Sequence, residues 1–127
     1  MTDNEFLEAF EATTLPRQLW THAAHVRMGY LMFQKYGSTE APTHISTGIR
    51  RYNEAKGNPT GYHETITAAF CRLIASRFDS ASTWDLFQAT HPDLLQPGVL
   101  ERYYTRELLF SPEARAGFVD PNVEPLP

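Results

Sequence analysis

Cysteine, clustered positive charge and long apolar runs are what this chain lacks. It holds one cysteine, Cys71, which excludes an internal disulfide and a thiolate-rich zinc site and is compatible with a reducing compartment. Eleven Lys and Arg stand against 15 Asp and Glu, for a formal charge of −4. Arg50-Arg51 is a pair rather than a patch, so nucleic acid is not an expected partner. No stretch approaches the roughly 20 apolar residues of a spanning helix, and no basic segment followed by an apolar run opens the chain, so a soluble, cytoplasmic protein without a membrane partner is expected. Strand-like alternation is missing, and so is any fixed-period repeat.

What is present is helical punctuation. With 127 residues, 42% of them hydrophobic and 13% aromatic, the chain suits one compact domain with a real core and is too short for two ordinary ones. Asp3 or Asn4 is placed to cap a helix carrying Phe6, Leu7 and Phe10, and Thr13-Thr14-Leu15-Pro16 breaks it. Thr21 caps a second helix that runs to about Tyr36 and is closed by Gly37. Pro42 fits the first turn of a third, which buries Ile45, Ile49 and Tyr52, shows Arg50, Arg51 and Glu54 to water, and stops at Gly57. The fourth spans about Gly61 to Phe78, with Ile66, Phe70, Leu73 and Ile74 as its apolar stripe. Shorter helices follow: one with a Ser82/Asp85 capping box, one around 99–108, and one from Ser111-Pro112 to about Phe118. The residues 119–127, with three prolines, are expected to be extended. The expected fold is all-α: a single bundle-like domain of four main helices plus shorter C-terminal ones.

The chemistry lies in three histidines. In Trp20-Thr21-His22-Ala23-Ala24-His25 the two imidazoles are about 60° apart on one helix face, which Gly29 continues and Val26, Met32 and Phe33 flank. In Gly61-Tyr62-His63-Glu64-Thr65-Ile66-Thr67, His63 shares its side with Ile66, Thr67, Phe70 and Ile74, opposite Thr65. Both faces point inward. Glu64 is displaced by about 100° from His63 and reaches such a site only from its rim.

Three inward imidazoles without partners are costly to bury. Neutral imidazoles suit a divalent transition metal, and three with an open position form a known catalytic arrangement. The leading expectation is therefore a metal-binding protein, and within that class a small metalloenzyme acting on an unknown small molecule, with His22, His25 and His63 as ligands and Glu64 or a bound water handling protons. The intervening Glu of the zincin motif is absent, since Ala23 and Ala24 separate His22 from His25. Two other readings stay open. Both histidine segments sit at helix N-termini, whose free N–H groups and dipole suit an anionic or polar metabolite held without metal. Alternatively, the protein is an interaction module and the histidines are structural. Trp20 and Tyr62 are placed to wall a pocket, Asn53 to donate to a ligand, and Thr67 to support His63. Cys71 reads as a buried, inert thiol.

The blocks Trp-Thr-His-Ala-Ala-His, Arg51-Tyr52-Asn53-Glu54-Ala55 and Gly-Tyr-His-Glu-Thr-Ile-Thr, in this order, resemble a family of small uncharacterised bacterial helical proteins across most of the chain. The resemblance implies that His22, His25, Asn53, Tyr62, His63, Glu64 and Thr67 belong to one site. A looser similarity links the chain to the DinB-like helical metal proteins, which hold a histidine triad across helices in a different spacing.

Overall fold

The computed structural model describes residues 1–127 and contains six α-helices and no strand: α1 (Asp3–Glu11), α2 (His22–Ala55), α3 (Glu64–Arg77), α4 (Trp84–Thr90), α5 (Arg106–Leu109) and α6 (Pro112–Ala116). Single 3-10 turns lie at Arg17–Leu19, Pro92–Leu95 and Val99–Arg102. The all-α expectation holds. Several boundaries move by a residue or two, each for a local reason. Thr2, not Asp3 or Asn4, caps α1, in a reciprocal pairing with Glu5. Thr83, not Ser82, caps α4 through the N–H of Leu86. The helix expected around 99–108 is split into a 3-10 turn and α5, because Thr105 adopts an extended backbone and caps a new start at Arg106. Ser111 caps α6 as the sequence indicates, but that helix ends at Ala116, where Gly117 turns extended.

α2 decides the architecture. Gly37 has φ 83° and ψ 166°, a backbone conformation that L side chains rarely adopt, and it divides α2 into helical halves 22–36 and 38–55. The second half starts directly after Gly37, with Pro42 about one turn further on, rather than starting at Pro42. A straight helix would hold Val26 and Ile49 about 35 Å apart. Here both line one pocket, so the halves fold back on each other.

α1 and α3 pack against α2, and α6 packs against α3. One core cluster of 28 buried residues runs from Phe6 to Leu126. Polar tips within it are satisfied: the Tyr52 hydroxyl donates to the Leu15 carbonyl at 2.7 Å, and the Tyr104 hydroxyl to the Val119 carbonyl at 2.7 Å. Gly29 lets α3 close on α2, since a Cβ there would stand 2.7 Å from Ile74 Cδ1.

The residues 119–127 carry no helix. They are strapped along the molecule, with the Val123 N–H on the Tyr103 carbonyl, Asn122 paired with Thr105, and Leu126 buried. That strap corrects one helical-phase reading. Thr65, placed opposite the inward face, is fully buried, donating to the Gly117 carbonyl and accepting from the Val119 N–H. α3 is covered on two sides, which its own periodicity does not reveal.

Candidate functional site: a pocket between α2 and α3

Thr21 accepts the Ala24 N–H and fixes the start of α2, so His22 is its first residue and His25 lies one turn along. His22 Nε2 faces the Leu94 carbonyl at 3.0 Å, with its ring edge-on to Phe70. His25 Nδ1 faces the Thr21 carbonyl at 2.6 Å, and its ring stacks on Trp20 with 3.7 Å between centroids. A carbonyl only accepts, so in the neutral rings these nitrogens carry the protons and His22 Nδ1 and His25 Nε2 keep free lone pairs. Burial lowers the His25 pKa below its usual 6.5, outweighing the Thr21 bond, and the nearby His22 adds to the effect. Neither free nitrogen is a sealed, unpartnered atom.

Both histidines line a pocket of about 330 Å³ between α2 and α3. Its walls are apolar, with Val26 and Ile49 on α2 facing Ile66, Phe70 and Ile74 on α3. Thr67 and Cys71 add the remaining polar edges. Burial, and then the charge of Glu64, push the Cys71 thiol up to about 12, so it stays protonated and is no nucleophile.

His63 is used differently. It is the N-cap of α3 rather than a first-turn residue: Nδ1 accepts the Ile66 N–H at 3.1 Å. Nε2 donates to the Leu109 carbonyl at 2.7 Å, tying α3 to the end of α5. The ring is buried, which lowers its pKa, and it does not line the pocket. With both nitrogens engaged it has no lone pair to offer a metal, and nowhere do three His, Cys, Asp or Glu side chains gather closely enough to hold one. The residues present do not fit a three-histidine centre.

The other expected site residues divide. Thr67 reaches the pocket, its hydroxyl donating to the His63 carbonyl at 2.8 Å. Trp20 lies behind the site, packed on Phe10 and Tyr52 and backing His25. Asn53 is in the last turn of α2, where its carbonyl accepts the Asn58 N–H, and it does not line the pocket. Glu64 and Tyr62 line a separate recess beside the pocket, the Tyr62 hydroxyl bridging both Glu64 oxygens at 3.0 and 3.1 Å. Sequence reasoning missed the roles of Phe70 and Cys71 as pocket wall. The signal existed, since both follow pocket residues, Ile66 and Thr67, at i+4. Ile49 had no such signal, because only the reversal at Gly37 brings it to the site.

Comparison of the chain with protein families, with curated proteins and with solved structures gave no match.

Proposed function

We propose that this protein binds a small, mostly apolar molecule carrying a hydrogen-bond donor, with His22 Nδ1 and His25 Nε2 as the accepting groups. The observation that carries this reading is the α2–α3 pocket itself, where two imidazoles with one nitrogen each committed to a carbonyl share the lining with mostly apolar side chains. Binding sites for small molecules have this composition: apolar lining with a few fixed polar groups. An apolar cavity of about 150 Å³ holds benzene, so this one takes about a dozen non-hydrogen atoms. A neutral donor suits it better than an anion, since His25 is held neutral by burial.

Indole is a suitable probe, being flat, apolar and equipped with one N–H. The expected result is saturable shifts of the Gly29, Thr67 and Cys71 amide resonances, weaker binding of 1-methylindole, and loss of the difference between the two in the double variant His22→Phe/His25→Phe. Indole that leaves these resonances unmoved overturns the reading.

A second reading rests on the same lone pairs. Metal-ligating histidines commonly donate their other N–H to a carbonyl, as His22 and His25 do. A divalent transition ion on these two residues, without His63, predicts uptake of zinc, iron, copper or nickel that is lost in His22→Ala and kept in His63→Asn. No uptake of any of the four sinks it.

A further inference from the structure

A second recess of about 230 Å³ adjoins the pocket, sharing Thr67 and Cys71 as common wall and reaching Glu64 and Tyr62 at the start of α3. The recess carries a larger share of polar side chains than the pocket does. What its polar groups have left to offer is one-sided. The Tyr62 O–H is spent on Glu64, the Thr67 O–H on the His63 carbonyl and the Ser46 O–H on the Thr43 carbonyl. The imidazole N–H groups of His22 and His25 are spent on Leu94 and Thr21. Apart from the exposed Thr43 hydroxyl and the weak S–H donor of Cys71, every polar side chain lining the two adjoining spaces keeps only acceptor capacity.

One of those acceptors is charged. Glu64 is half-buried, and the chain's ion pairs engage Arg27, Lys35, Arg77, Arg102 and Arg106 with other carboxylates. The nearby Arg50 guanidinium lies over the Tyr62 ring, 4.0 Å from its centroid, and makes no ion pair with Glu64. Glu64 is the first residue of α3, and the Tyr62 hydroxyl fixes the orientation of its carboxylate. A half-dry carboxylate beside an apolar pocket is matched by an ammonium group on an apolar body and repels a ligand carboxylate.

We infer that the ligand is an amphipathic amine, its apolar body between α2 and α3 and its ammonium group on Glu64. This rests on the small-molecule reading of the pocket and specifies the ligand's charge.

The test is a set of indoles with side chains of similar length, titrated by calorimetry into the intact protein: tryptamine (cationic), tryptophol (neutral) and indole-3-propionate (anionic). Tryptamine is expected to bind at least about tenfold tighter than tryptophol, the scale of one charge-assisted hydrogen bond, and indole-3-propionate most weakly. In Glu64→Gln, whose amide still accepts the Tyr62 hydroxyl, tryptamine should come within about twofold of tryptophol. Binding of tryptamine no tighter than tryptophol, or a preference that survives Glu64→Gln, overturns the amine assignment. If tryptophol and indole also fail to bind, the pocket reading falls with it; if they bind, only the amine assignment falls.

Discussion

The N-terminal ends of α2 and α3 use the same residue type for opposite purposes. At α3, His63 has no capacity left over: one nitrogen caps the helix, the other holds the α5 carbonyl, and 7% of the residue is exposed. At α2 the capping is done by Thr21, so His22 and His25 each need only one bond to be oriented and keep a lone pair for something else. A buried histidine is therefore informative about function only after its partners have been counted. The Thr21 cap frees two imidazoles, and the lack of a cap other than His63 consumes the third.

The largest expected effect that sharpens this contrast is on stability. His63→Ala removes a helix cap and strands a buried carbonyl, at a cost of about 3 kcal/mol, and His63→Asn should recover about 1 kcal/mol of that through its capping oxygen. His22→Ala removes one bond and should cost about 1 kcal/mol while weakening indole binding. Urea denaturation of the variants checks this, and equal losses at the two sites would break the comparison.

An intermediate effect is expected from pH. His25 and His63 have folded-state pKa values held below 6.5 by burial, so below that value the unfolded chain takes up protons more readily than the folded one. The contribution of these neutral rings is complete above pH 6.5 and is lost as pH falls toward their folded pKa values. Glu5 and Asp93, whose carboxylates are held below the usual range by bonds from Thr2 and Arg77, respond only in more acid solution. Denaturation midpoints should thus drop between neutral pH and about pH 5, with part of the drop removed in His63→Asn. An identical profile in that variant would contradict the role given to His63.

The smallest stability effect is expected at Gly29→Ala. The new Cβ meets the flexible end of Ile74 at 2.7 Å, and helix propensity offsets the crowding, leaving a net change within about 1 kcal/mol. The methyl group and the displaced Ile74 both intrude on the pocket, so indole binding should fall although the fold does not suffer. Unchanged binding would place the ligand elsewhere.

Much of the fold was legible because its signals are local. Thr21, Gly37 and Ser111 act within one helical turn, and the stripes of α1 and α3 are read from spacing alone. The strap over Thr65 was not legible, since nothing in the α3 periodicity marks which second face another segment will cover. The site divides in the same way. The pocket positions of His22, His25 and Thr67 follow from helical phase, whereas Glu64, expected at the rim, lines the adjoining recess instead. The convergence of His63 with the other two histidines was expected from inward phase, but phase gives direction and not partner.

The sequence by itself determined where most of the helices lie, that three imidazoles stand at or beside helix starts, and that no cluster of thiolates or positive charge competes for the chemistry. Only the tertiary structure decided which imidazoles are free. Lone pairs are consumed by carbonyls and N–H groups brought in from elsewhere: Leu94 and Leu109 lie 72 and 46 residues away from the rings they hold. The reversal at Gly37 then supplies the second wall that makes a pocket of them.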